Sequence, residues 1–339
     1  MIYPKYLEKN DVIGITAPSD GRGEELDCIR LDNAVRQFEA RGFKVKETAH
    51  VRCSENGRSC DGKTRAEELN KLFEDKDCSL IISASGGDWL HEMLPYVDYK
   101  KIAENPKWFE GMSDPTGLTY TITTMCDVAT VYCANAGEFG MEKWDETFEN
   151  NIRVLSGEPE LEQSSTDMYQ GGWLKLSTGL ESYNKDSKTV WRCLSGEKAV
   201  SVEGRLLGGC LDVLCCLVGT RFDKTKEFLE KYKEDGFLWY LEVFSMTPEQ
   251  LAFNLWQLRE AGWFKYVKGI MLGRPAMINT DFSATTYEEA VMNSLGELNC
   301  PVIADMDFGH RPPHHTIVNG AIGRVSYKDG AGSFQMRFE

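Results

Sequence analysis

Short apolar runs alternate with amphipathic segments of helical period along the first part of the chain, and this alternation restricts the fold more than any other feature. "DVIGITAPS" reads as a buried strand, Val12 to Ala17, closed by a Pro-Ser turn. Leu31, Val35 and Phe38 then fall on one helical face, and Gly42 stands where a helix stops. "FKVKET" has a strand's period of two. Ala66, Leu69, Leu72 and Phe73 mark a second helix, followed by the buried strand "SLIISAS" and a turn at Gly86-Gly87 that opens another helix. "KWFEGM", "PTGLTYTITTM" and "VATVYC" continue as strand, helix and strand. Strands regularly separated by helices cannot pair as hairpins, so they form a parallel sheet covered on both faces.

From Lys143 to Val200 the pattern weakens, and the polar stretch between 165 and 195 reads as a linker or active-site loop. Alternation resumes at "SVEGRLLGG", with a helix at "LDVLCCLV", a strand at "GFLWYLE" and a helix opened by Thr247-Pro248-Glu249. "YVKGIMLG" and "CPVIADM" are further strands, and the tail reads as a hairpin or meander. A chain of 339 residues favours two domains. The organisation expected is an α/β domain over 1–165, a linker and active-site loop over 166–199, and a β/α domain over 200–339.

Composition removes several function classes. A formal charge of -15 repels phosphate backbones and anionic lipid, so nucleic acid and membranes are not expected partners. No apolar run approaches the ~20 residues that span a bilayer. The first residues lack a basic segment followed by a long apolar one, so no secretory signal is expected. Eleven cysteines, several inside apolar runs, suit buried thiols in a reducing cytoplasm. No CxxC and no Cys/His grouping has zinc-site spacing, so no metal is expected. Neither "GITAPSDG" nor "GGD" has dinucleotide or Walker spacing, and no cofactor is expected.

Four positions carry candidate chemistry. Ser113, in "EGMSDPT", lies between a strand and a helix, where a sharp turn pushes a side chain outward. The helix start offers free N–H groups to developing negative charge. The second glycine of a hydrolase elbow is missing, and the plain alternative is a serine N-cap. Gly86-Gly87 ends a neighbouring strand and lets backbone approach a ligand; its N–H and that of Asp114 are candidates for an oxyanion hole. Glu242 ends the apolar run "FLWYL". His310, in a Gly/Pro-rich loop after a strand, is a candidate general base, with His314 and His315 as competitors.

In this order, "IGITAPS", "SASGGD", "GMSDPT", "VEGRLLGG", "LEV" and "DFGH" resemble the serine peptidase family of LD-carboxypeptidases and microcin C immunity peptidases. The resemblance implies a flavodoxin-like parallel-sheet N-terminal domain, a swivelling β/α C-terminal domain, and a homodimer. It implies Ser113 as nucleophile, His310 as base, Glu242 as the carboxylate orienting the ring, and an oxyanion hole from Asp114 with Gly86 or Gly87. Departures are Pro115, Cys210 in place of a commoner Asn, and Arg311, whose charge would lower the His310 pKa if close.

The length, the loop at 165–195 and "DFGH" resemble the immunity-type branch more. That branch hydrolyses the bond between a C-terminal aspartyl group and an adenylate-like moiety. A tryptophan from the loop would stack on the base, with Trp191 preferred over Trp173. The alternative within the family is a murein LD-carboxypeptidase releasing D-alanine from tetrapeptides. From a different class comes a non-catalytic α/β protein closing on a small ligand.

Overall fold

The computed structural model describes residues 1–339. Its first sheet runs in the order Lys44–Glu47, Val12–Thr16, Cys78–Ser83, Trp108–Glu110, Thr130–Tyr132, Ile317–Asn319. The first five strands are parallel, in the 2-1-3-4-5 order of doubly wound α/β folds. Residues 13–16 are wholly buried, as a strand covered on both faces requires. The helix Glu25–Ala40 buries Leu31, Ala34 and Phe38. Gly42 turns the chain out with φ +92°. The helix Gly62–Glu74 is opened by Asp61, whose side chain accepts from the N–H groups of Lys63 and Thr64.

One expected helix is absent. "DWLHEML" forms two short 3₁₀ turns, Leu90–Glu92 and Leu94–Tyr96. Pro95 supplies no amide donor to prolong either into an α-helix.

The second sheet has eight strands: Gln163–Ser164, Ala331–Arg337, Ile322–Lys328, Ala199–Cys210, Phe237–Glu242, Val267–Gly273, Val302–Met306, Arg192–Cys193. The long strand Ala199–Cys210 couples two regimes. Its first half pairs antiparallel with Ile322–Lys328, and its second half parallel with Phe237–Glu242. Thr247 caps the next helix in a reciprocal box with Gln250, with Pro248 in the first turn.

The polar loop is more structured than its composition suggests. It contributes the strand pair Met168–Tyr169 and Ser187–Lys188, and Arg192–Cys193 closes an edge of the second sheet. Ile317–Asn319 returns to add an antiparallel edge to the first sheet, pairing with Thr130–Tyr132. The two halves also share their cores. One apolar cluster joins Trp108 and Tyr132 of the first half to Tyr240 and Met271 of the second. With Tyr132 and Tyr240 ring centroids 5.5 Å apart, the parallel strands of the two sheets meet across packed side chains.

Candidate active site

Strand ends from the two sheets bring Ser113, Glu242 and His310 together. Ser113 follows Trp108–Glu110, Glu242 ends Phe237–Glu242, and His310 follows Val302–Met306. His310 Nε2 lies 2.9 Å from Ser113 Oγ, and His310 Nδ1 lies 2.8 Å from Glu242 Oε2. Chain separations of 197 and 68 residues make this a purely tertiary arrangement. His314 and His315 point elsewhere, to Glu138 and to the Ser164 carbonyl.

Ser113 does not cap the following helix. Pro115 occupies the cap position, without a side-chain cap bond. Ser113 has φ +69°, in the left-handed region that a non-glycine residue enters only under constraint. That strained turn directs Oγ at the imidazole. Gly86 shows why glycine is needed beside it: a Cβ there would lie 3.1 Å from Ser113 Oγ. Gly309 has φ +92°, and a Cβ would come within 2.8 Å of Glu242 Cβ, so glycine lets His310 close on its carboxylate.

The N–H groups of Asp114, Gly86 and Gly87 make no hydrogen bond within the chain. The Asp114 side chain ties their two loops together, accepting from the Ser19 hydroxyl and, at 2.8 Å, from the Leu90 N–H. Burial pushes its carboxyl up in pKa.

Glu242 is fully buried and accepts from two sides. Burial alone would raise its pKa, but His310 and Tyr132 outweigh that and hold it below the usual carboxylate range. Tyr132 is the residue that sequence reasoning missed. Its hydroxyl donates to Glu242 Oε1 at 2.7 Å and accepts from the Ser113 N–H at 3.3 Å. The available signal was a tyrosine ending the apolar strand "VATVYC", since a buried phenol needs a partner for its hydroxyl. For His310, burial disfavours the charged ring, but the Glu242 carboxylate wins and the pKa is raised above its ordinary value. The lowering expected from Arg311 does not occur. Arg311 donates to the Ala276 carbonyl at 2.6 Å, with its guanidinium over Trp173.

The two tryptophans part company. Trp191, the one preferred for stacking, is wholly buried, with its indole N–H donating to Asp307 Oδ2 at 2.7 Å. Asp307 is itself paired with buried Arg274 at 2.9 Å. A ring enclosed in this way offers no face to a ligand, and its work is to pin the loop. Trp173 is 51% exposed. Its ring lies 6.0 Å from that of Phe244, which lies 4.6 Å from the His310 ring.

The chain as a whole has known relatives. The family model for the LD-carboxypeptidase N-terminal domain matches residues 13–133, and that for the LD-carboxypeptidase C-terminal domain matches 203–325. A Vibrio cholerae protein described as a carboxypeptidase is 26% identical, over 96% of each chain. The microcin C7 self-immunity protein MccF of Escherichia coli is 27% identical, over 86% of this chain and 83% of its own. A Bacillus subtilis protein described as a murein peptide carboxypeptidase is 23% identical, over 94% and 89%. Among solved structures, an MccF-like protein from Bacillus anthracis superposes with a TM-score of 0.82 at 23% identity, covering 100% of both chains. MccF in complex with aspartyl sulfamoyl adenosine gives 0.80 at 22%, covering 99% of each. No helix is long and apolar enough to cross a membrane.

Proposed function

Because this chain belongs to the LD-carboxypeptidase family of serine peptidases, we propose that Ser113, His310 and Glu242 are its catalytic triad and that it cleaves by way of an acyl-enzyme. The observation that carries this is the unbroken line of contacts from Ser113 Oγ through both ring nitrogens to a buried carboxylate. His310 Nε2 takes the Ser113 proton as Oγ attacks the carbonyl carbon, then returns it to the leaving group. Glu242 holds Nδ1–H in place and stabilises the imidazolium. The N–H of Asp114 and one from Gly86 or Gly87 receive the oxyanion, a role worth about 10²- to 10³-fold in kcat per donor. Water then attacks the ester by the same proton path in reverse.

The leaving group we propose is nucleotide-like, because Trp173 offers an aromatic face one ring beyond His310. A structural neighbour holds aspartyl sulfamoyl adenosine. Base stacking contributes ~1–3 kcal/mol, so Trp173→Ala is expected to raise KM for such a conjugate about tenfold or more. The same change leaves KM for a peptide substrate unmoved, and steady-state kinetics on both substrates reads the difference. The second reading, release of D-alanine from a murein tetrapeptide, is favoured by the cavity of about 530 Å³ beside Ser113, which has room for a peptide residue. A paired assay decides: tetrapeptide in one tube, aspartyl sulfamoyl adenosine in the other, Ser113→Ala as blank, products read by mass spectrometry. Hydrolysis of neither substrate would put the non-catalytic binding protein ahead.

The raised pKa of His310 fixes the pH dependence. Only the neutral ring accepts the Ser113 proton, so activity is lost as pH falls through the His310 pKa. With that pKa above 6.5, the acid limb of kcat/KM is expected on the alkaline side of 6.5. A limb centred below 6.5 would mean that Glu242 does not dominate the ring's environment.

A further inference from the structure

Given the triad reading above, the strained turn that presents Ser113 is held by one neighbouring segment, residues 132–138. The Met112 N–H donates to Asn135 Oδ1 at 3.2 Å, and the Met112 carbonyl accepts from Asn135 Nδ2 at 3.3 Å. The next group along, the Ser113 N–H, donates to the Tyr132 hydroxyl at 3.3 Å. No backbone group bonds to Met112, so Asn135 is the sole hydrogen-bonding tether of that residue. Asn135 is 4% exposed, and its amide uses both ends on Met112. Gly111 keeps the approach open: a Cβ there would lie 3.2 Å from Asn135 Oδ1 and 2.8 Å from Pro115 Cβ. A non-glycine residue at φ +69° costs free energy and persists only where its surroundings over-determine it. Freed from Asn135, the Met112 peptide turns and lets Ser113 relax to negative φ, which carries Oγ away from His310 Nε2.

The same segment reaches the loop of the base. The Asn135 N–H donates to Glu138 Oε1 at 3.4 Å. Glu138 Oε2 accepts from His314 Nε2 at 3.1 Å and from the Tyr183 hydroxyl at 3.2 Å. Burial alone would push the Glu138 carboxyl up in pKa, but His314, Arg22 and Arg30 outweigh it and hold it at about 2, so it remains an acceptor. In the sequence "HRPPH", Pro312 and Pro313 restrict the backbone between His310 and His314. Shortly beyond His314, Ile317–Asn319 pairs with Thr130–Tyr132, the strand from which the segment 132–138 issues.

We propose that Asn135 is a positioning residue for the nucleophile, and that Glu138 and His314 tie its clamp to the loop of His310. One brace then keeps Ser113 Oγ and His310 Nε2 in register, although Ser113 follows a strand of the first sheet and His310 a strand of the second.

The test uses whichever substrate of the paired assay the wild type cleaves, with kcat taken per folded molecule. Asn135→Ala is expected to lower kcat about a hundredfold and leave KM within about twofold, the cost of a nucleophile displaced by about 1 Å. A residue needed only for stability would lower the melting temperature and leave kcat per folded molecule unchanged. Asn135→Asp keeps the acceptor for the Met112 N–H but loses the donor to its carbonyl. A loss of about tenfold or more in kcat is expected there too, and this variant serves if Asn135→Ala does not fold. His314→Leu removes the donor to Glu138, with an expected loss of about tenfold in kcat. His314→Gln restores an N–H at that place and is expected to return kcat to within about twofold of the wild type. Unchanged kcat in the folded Asn135 variants overturns the clamp, and His314→Gln no better than His314→Leu overturns the tie. In both cases Ser113-dependent hydrolysis by the wild type leaves the triad reading standing. If the wild type cleaves neither substrate, both fall.

Discussion

Ser113→Ala is expected to lower kcat by about 10⁴- to 10⁶-fold while the protein remains folded. The Ser113 hydroxyl meets the chain at a single point, His310 Nε2, so its removal strips no buried group of its only partner apart from the imidazole. The imidazole is still held by Glu242. The backbone at φ +69° keeps its strain with alanine, so the turn itself is unchanged. His310→Ala is expected to cost about as much, and the double variant little more than either alone. The two groups act as one unit, and once either is gone the other has nothing to do. Single-turnover kinetics on the cleaved substrate, with thermal melts alongside, checks this. Near wild-type turnover in either single variant, or additive losses in the double, would show that the reacting nucleophile lies elsewhere.

Much of this site was legible in the sequence because its members stand at the carboxyl ends of buried strands. There a polar residue interrupts an apolar run: Ser113 after "KWFEGM", Glu242 after "FLWYL", His310 after "PVIADMDFG". A parallel sheet gathers such ends on one edge, so local pattern and tertiary position coincide. The central parallel strands of both sheets were legible as apolar runs, whereas the edge strands Gln163–Ser164 and Arg192–Cys193 were not.

What could not be read depended on what lies across space from a residue. Trp191 and Trp173 both sit in one polar loop, and nothing in that loop says that Asp307 receives the first indole while the second stays at the surface. Tyr132 bridges Ser113 and Glu242 only because Ser113 and Glu242 come from sheets that face each other. The return of Ile317–Asn319 to the first sheet is a choice of edge partner, and a strand's own residues do not name its partner. Arg311 follows His310 directly in the chain, yet its charge is carried to Ala276 and Trp173.

Glu242→Gln is the more discriminating variant, because it keeps the shape of the side chain and changes its proton pattern. The carboxylate accepts from His310 Nδ1–H and from the Tyr132 hydroxyl, one oxygen each. An amide accepts at one end and donates at the other. If its oxygen faces the ring, its NH₂ meets Tyr132 and the phenol proton loses its acceptor. If its NH₂ faces the ring, Nδ1 must become the acceptor, and the proton moves to Nε2, where it faces Ser113 Oγ and leaves no base. Both arrangements also remove the negative charge that stabilises the imidazolium. The expected loss is about 10⁴-fold in kcat near neutral pH. The pH profile carries a second signature. Burial lowers the His310 pKa, and Glu242 raises it more than the charges of Glu138 and Asp212 do, so losing the carboxylate removes the largest raising influence. The acid limb, on the alkaline side of 6.5 in the wild type, is expected to move to lower pH in the variant's residual activity. A Glu242→Gln enzyme that keeps both its rate and its acid limb would show that the carboxylate merely packs against the ring. A lost rate with a displaced limb would assign to Glu242 both the tautomer and the charge of His310.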